Sequence, residues 1–340
     1  MSSMEDDILI HGDNIQAIQK LKKDYRNKVK LMYLDPPYGS NTTNEHYSDV
    51  FELKEYQEYM LSLLKNLYPL LKEDGYLVCQ IDSQRSYLIK ELLDKVFQES
   101  NFRGQMIVSK NDHKLYHKPR YTLISGYDCL LCYSKNDKSV LPPLIEHSRK
   151  EIPGQWANFY TSSLNEKNQY KLWNQDIKVG SWRKDKKWAE EAIENYNNLI
   201  KGLENNIKDK DLDKKIKAYK EKHKSKKEIN FLRYKNHRVE YYIYPSHEKH
   251  VTDNWSDIDI RGYQTNFEHE VSEALLERII RWLSKENEII LDPFLGTGTS
   301  VVVATKLNRR WIGIEKQDYC KEIVLSRMNK KEDRIKYYEC

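Results

Sequence analysis

Apolar positions along the chain fall into short runs that alternate with stripes at helical spacing. Val29–Leu34 (VKLMYL) is a continuous apolar run that stops at Asp35-Pro36-Pro37. Proline continues neither a helix interior nor a ladder, so the run reads as a buried parallel strand with a loop at its carboxyl end. The stretch 39–49 (GSNTTNEHYSD) is polar and reads as a loop. Tyr56–Leu71 carries apolar residues at helical spacing, and Gly75 then precedes a second strand, Tyr76–Ile81. Ser83 is placed to cap a helix reaching about Gln98, and strand-like runs follow at Gln105–Ser109 and Tyr127–Tyr133. The pattern resumes near Val271 with a helix (Ala274–Leu283), a strand (Glu288–Leu291), a helix (Ser300–Leu307) and a strand (Arg310–Glu315). Such alternation predicts an α/β fold built on a doubly wound, mostly parallel sheet.

Between these halves the pattern fades. Trp156, Trp173, Trp182 and Trp188 fall there among many tyrosines and lysines, with little apolar strand signal. Lys186–Glu228 is dense in Lys, Glu, Asp and Asn and predicts one or two long solvated helices. It reads equally as a charged surface hairpin and as an arm that contacts nucleic acid. The expected division is a first half of the α/β domain at 1–140, an inserted, mainly helical region at 141–255, and a second half at 256–340.

Composition narrows the class. The chain has 340 residues, 39% hydrophobic and 32% charged, enough for one large α/β domain with an insertion. A net charge of +5 permits a polyanionic partner without demanding one. Five cysteines, odd in number and irregularly spaced, argue against a disulfide framework. Cys129 and Cys132 form a lone C-x-x-C inside an apolar run, which reads as strand rather than metal site. An acidic start without an apolar core, and no run near the roughly 20 residues of a membrane span, lead one to expect a soluble cytoplasmic protein.

Two segments carry chemistry. Asp292–Ser300 (DPFLGTGTS) lies between a strand and a helix, and Gly296 and Gly298 allow a tight turn and close approach of a ligand. Glu315, at the end of the next strand, stands where an acid accepts hydrogen bonds from ribose hydroxyls. Neither G-x-G-x-x-G nor a Walker-type Gly-Lys is present, so an adenosyl ligand without a pyrophosphate fits better. The other segment is Asp35-Pro36-Pro37-Tyr38. An exocyclic base amine is a poor nucleophile until acceptors draw its lone pair out of the ring. Asp35 offers a carboxylate, the Pro36 carbonyl a second acceptor, and Tyr38 a ring on which a flipped base can stack.

In this order, the two motifs resemble the β group of amino-methyltransferases of bacterial restriction-modification systems. Ile8–Asp13 with Asn14, and Lys28–Tyr38, are similar to segments of the methylating subunits of type III systems. The resemblance implies a DNA methyltransferase using S-adenosylmethionine on the N6 amine of adenine. Asp35, Pro36, Pro37 and Tyr38 would be catalytic. Asp13, Asp35, Asp292, Phe294, Gly296, Thr297, Gly298, Thr299 and Glu315 would contact the cofactor, although Asp13 reads as well as a cap. The inserted region 141–255 would be the target-recognition region, holding duplex DNA and reading base edges, and the implied partners are double-stranded DNA with a flipped adenine, a separate restriction subunit and a second copy of the chain in a homodimer. Transfer to cytosine N4 or RNA, or a methylase-like DNA-binding subunit, are the competing readings. One departure stands out. Glu270-Val271 occupies the place where this group usually carries Lys-Pro.

Overall fold

The strands expected from the two halves of the sequence enter one sheet. The computed structural model describes residues 6–37, 43–44, 47–48, 53–110, 125–175, 177, 179–201, 208–223, 229–262, 270–328 and 335–340. The first part of the chain forms β1 (Asp7–His11), α1 (Asn14–Tyr25), β2 (Val29–Leu34), the short pair β3 (Thr43–Asn44) and β4 (Tyr47–Ser48), α2 (Leu53–Leu67), β5 (Leu71–Asp82), α3 (Ser86–Phe97), β6 (Phe102–Ser109) and β7 (Tyr127–Ser134). The middle forms β8 (Ile145–Ile152), β9 (Gln155–Asn158), β10 (Tyr160–Thr161), β11 (Ser181–Trp182), α4 (Lys186–Ile200), α5 (Asp209–Lys222), β12 (Leu232–Lys235), β13 (Arg238–Ile243) and β14 (Ser246–His250). The last part forms β15 (Asn254–Asp259), α6 (Glu273–Leu283), β16 (Ile289–Asp292), α7 (Thr299–Lys306), β17 (Arg310–Glu315), α8 (Cys320–Arg327) and β18 (Ile335–Glu339).

Contacts divide the chain into two units, 1–144 with 251–340, and 145–250. In the first, nine strands lie in the order β15-β6-β7-β5-β2-β16-β17-β1-β18. The neighbours from β5 to β18 are parallel, and β7 runs against both β5 and β6. Period-two alternation sends successive side chains to opposite faces. Ile8, Ile10, Met32, Leu34, Leu77 and Cys79 join the buried cluster formed with α1, α2 and α3. Leu9, Leu31, Tyr33, Tyr76 and Val78 join the cluster formed with α6, α7 and α8. Both faces of the sheet are therefore covered, which explains why its central strands read as continuous apolar runs. Cys129 belongs to the first cluster and Cys132 to the second, so the two thiols face opposite layers.

Some boundaries move for local reasons. The helix expected to reach Leu71 ends at Leu67, because a 3-10 turn at Tyr68–Leu70 brings in Pro69, which has no N–H for a helical bond. Ser83 does not cap α3. The Asp82 carboxylate accepts from Arg85 N at 2.8 Å, and the helix begins at Ser86.

The second unit departs from the mainly helical expectation. Its described residues form two helices, seven short strands and a 3-10 turn at Glu166–Asn168. β12, β13 and β9 form an antiparallel sheet. Ala189 and Ala192 of α4 join Phe159, Trp182, Leu232 and Val239 in one buried cluster, and Leu212 and Ile216 of α5 join Phe231 and Tyr242 in another. These strands escape the sequence reading because they are short and half polar, as in β8 (IEHSRKEI).

Candidate active site

The two motifs end on neighbouring strands. β2 pairs in parallel with β16, with Leu31 beside Ile290 and Met32 beside Leu291. Asp35 thus leaves the carboxyl end of β2 where Asp292 closes β16. From β2 the chain passes through α2, in one helical layer, to β5. From β16 it passes through α7, in the other layer, to β17 on the opposite side. The connections diverge between these two strands, and at such a switch point the strand ends leave a crevice for a ligand. Next in the sheet come β17 and β1, with His11 beside Glu315, so Glu315 and Asp13 lie along the same edge.

Asp35 is half-buried, Pro36 buried and Pro37 half-buried. Tyr38 and most of the loop 39–49 lie outside the described residues. Behind Asp35 sits Tyr33, whose hydroxyl donates to Gln80 Oε1 at 2.5 Å. Burial, and then the charges of Asp35, Asp292 and Asp128, push the Tyr33 phenol upward and keep it protonated. Asp128 forms an ion pair with Lys110.

The loop after β16 is held by its own acids. Asp292 is 3% exposed and accepts from the Phe294 amide at 2.9 Å and from the Ser300 hydroxyl. Burial pushes its carboxyl up to about 7 against these bonds. Gly296 and Gly298 have φ of 54° and 79°. A side chain at Gly298 would meet Val324 Cγ2 at 2.5 Å, whereas one at Gly296 would meet nothing within 4 Å. The loop therefore abuts α8 at Gly298 and leaves open space at Gly296. Phe294 lies partly buried against the α1–α3 layer.

Glu315 is buried and tied to the main chain. Oε2 accepts from Gly296 N at 2.8 Å, and Oε1 from Lys316 N at 2.8 Å and Gln317 N at 3.0 Å. A carboxylate has roughly four acceptor positions, so one is left for a ligand hydroxyl. Asp13 is the N-cap of α1 and accepts from Gln16 N at 3.0 Å. Beside it, the Asn14 amide donates to Tyr59 Oη at 2.7 Å and to the Pro293 carbonyl at 3.5 Å, joining α1, α2 and the loop.

Sequence reading missed Arg327. From the end of α8 it donates to the Thr297 carbonyl at 2.9 Å, the Thr297 hydroxyl at 3.3 Å and the Thr299 hydroxyl at 3.1 Å. Its other nitrogen pairs with Glu270 at 3.0 Å and Glu273 at 3.5 Å. The Glu270 side chain is fully buried. The unusual Glu270 is therefore one half of a buried ion pair that grips the two threonines of the glycine loop. The Thr-Gly-Thr spacing could have flagged the threonines, but nothing local marks their cation.

Asp292 also makes stability depend on pH. Its folded value lies above the ordinary carboxyl value near 3.9, so the folded state holds the proton that the unfolded state releases. Stability from this group is present below about pH 4 and is lost as pH rises toward 7. Asp292→Asn keeps the shape without the charge. Its melting temperature is expected to fall less between pH 5 and pH 8 than that of the wild type, as read by differential scanning fluorimetry. Parallel curves would refute the burial argument.

A family model described as DNA methylase, covering N6 and N4 methylases, matches residues 29–326. The HindVI Mod subunit of a type III restriction-modification enzyme from Haemophilus influenzae is 25% identical over 96% of this chain and 50% of its own length. The type II methyltransferase M.EcaI from Enterobacter cloacae is 26% identical over 94% of this chain and 68% of its own. This chain thus spans about half the length of the Mod subunit. A solved protein of Thermus thermophilus, crystallised with S-adenosyl-L-methionine, is 15% identical with a TM-score of 0.49, covering 98% of both chains. With the matched span running from β2 through α8, the chain belongs to the N6/N4 DNA methylase family.

Proposed function

We propose that this protein transfers the methyl group of S-adenosylmethionine to the N6 amine of adenine in DNA, as the modification methylase of a restriction-modification system. The observation that carries this reading is the juxtaposition of Asp35-Pro36-Pro37 and the loop Asp292–Thr299 at the ends of the paired strands β2 and β16.

The residues present fit the cofactor. The open side of Gly296 admits a ligand against the backbone, and Asp13 and Glu315 stand along the same sheet edge with acids that suit a sulfonium cation. Glu315 keeps an acceptor position for a ribose hydroxyl, and Phe294, within the loop, is the ring proposed for the adenosyl group. When bound, S-adenosylmethionine supplies an activated methyl group, so placement does most of the remaining work. The Asp35 carboxylate and the Pro36 carbonyl accept from the target amine and draw its lone pair out of conjugation with the ring. The two prolines fix these acceptors at the strand end. As the amine is methylated it becomes acidic, and Asp35 need only be a weak base toward the departing proton. Tyr38 is the stacking partner proposed for the flipped base.

The leading Asp of the tetrapeptide and the likeness to type III Mod subunits support adenine over cytosine and a separate restriction subunit as partner. The test is to incubate unmethylated DNA with the protein and S-adenosylmethionine, then resolve the nucleosides by mass spectrometry. N6-methyladenine is expected. N4-methylcytosine alone would overturn the base assignment, and no methylated nucleoside would overturn the activity.

A further inference from the structure

Charge is unevenly shared along the chain. The unit 145–250 carries 24 lysines and arginines against 16 aspartates and glutamates, while the remainder carries 33 against 36. The positive excess therefore belongs to the inserted unit, which is drawn to a polyanion although the chain as a whole is only mildly basic. Its helices do not explain where such a partner would be read. Their apolar faces are taken up by the unit's own core, and α4 shows a mixed lysine–glutamate face to solvent.

Two tight turns offer a different surface. In the first, Leu172 N donates to the Gln175 carbonyl at 3.2 Å and Gln175 N to the Leu172 carbonyl at 2.7 Å. Its central residues Trp173 and Asn174 have φ of 44° and 61°. The second closes the β12–β13 hairpin, where Lys235 and Arg238 pair across Asn236 and His237, with φ of 50° and 61°. Consecutive left-handed residues suit Asn-Gly, so a Trp there is strained, whereas Asn and His enter this region more readily than other side chains. A strained Trp held at an exposed turn points to function.

The turns are coupled. The Trp173 ring stacks on Tyr234 at 5.9 Å and 22°, and Gln175 Nε2 donates to Tyr234 Oη at 3.2 Å. Trp173 is 38% exposed and Tyr234 37%. Trp173–Gln175 and Tyr234–Arg238 are all exposed, and these described residues include aromatic, amide and basic side chains but no carboxylate. Between the turns lies a cleft of about 300 Å³ lined by residues including Tyr160, Gln175, His237 and Arg238. Amides pair bidentately with adenine edges and arginine with guanine, both within a groove that admits a β-ribbon.

We infer that these two turns are the part of the inserted unit that enters a groove of duplex DNA and reads base edges. Asn174, Gln175, Asn236, His237 and Arg238 are the readers, and the Trp173–Tyr234 stack is their rigid support. This rests on the proposed function for the identity of the nucleic acid. The test uses the full chain and a short duplex containing a site mapped by sequencing DNA that the wild type has methylated. Asn236→Gly with His237→Gly removes two readers while keeping the backbone its preferred turn, and Trp173→Ala removes the stack. Both variants are expected to retain the wild-type melting temperature and S-adenosylmethionine affinity. Their Kd for the duplex is expected to rise about tenfold or more, with methylation spreading to other sites. If Trp173→Ala unfolds, Arg238→Gln at the exposed turn replaces it. An unchanged Kd and site pattern overturns the inference, as does loss of self-association with DNA affinity intact. A wild type that binds the duplex without methylating it refutes the proposed function alone, and the binding comparison still decides this one.

Discussion

Asp35→Ala is expected to remove methyl transfer, a loss of at least about 10³-fold, while the affinity for S-adenosylmethionine stays near that of the wild type. The reason lies in the division of labour between the two strand ends. Asp35 stands past the end of β2 and outside the buried apolar core, so its removal leaves the sheet intact. The loop after β16 is organised by Asp292, Glu315 and Arg327, none of which depends on Asp35 for a bond described above. What disappears is the carboxylate proposed to accept from the base amine. Asp35→Asn retains one carbonyl acceptor and is expected to fall between the two. Incorporation of radiolabelled methyl groups measures turnover, and calorimetry measures the cofactor. Turnover that survives Asp35→Ala would end the assignment of this residue.

Arg327→Met is expected to destabilise the α/β unit by about 3–5 kcal/mol, the cost of taking the cation away from a buried carboxylate. Glu270 is fully buried and Arg327 only 11% exposed, so water cannot replace the lost cation. A folded domain has roughly 5–15 kcal/mol in hand, so this is a large fraction of the total. Adding Glu270→Gln removes the buried negative charge and is expected to restore much of the loss, because apolar or neutral replacement of both partners is tolerated better than breaking one. Denaturant melts of the single and double variants decide the matter. Equal stabilities for wild type and Arg327→Met would show that the pair does not lock the loop.

The sheet was legible in the sequence where both of its faces are buried. Val29–Leu34 and Arg310–Glu315 are apolar whichever way their side chains point, and both strands lie where the runs placed them. β15 was not legible. In Asn254–Asp259 only Trp255 and Ile258 are buried, which breaks both the period of two and the continuous run. The same holds for the strands of the inserted unit. Their aromatic core forms from Phe159, Trp182 and Trp188, whose stacking depends on contacts distant in sequence. The site divides in the same way. Backbone-driven features such as the prolines at 36–37 and the positive φ of Gly296 and Gly298 declare themselves by residue type. Partnerships do not. The carboxylate of Glu270 and the cation of Arg327 are separated by many residues and by α6, β16, α7 and β17, and no local pattern joins them.

The way the chain enters and leaves the inserted unit has a wider consequence. β8 and β14 pair antiparallel with Ile145 opposite His250, and Val251 N donates to the Leu144 carbonyl at 2.9 Å. The first and last strands of residues 145–250 are therefore neighbours, as are the two residues that flank them. Because its two ends lie together, the segment 145–250 can be replaced as one block without opening the sheet of the first unit.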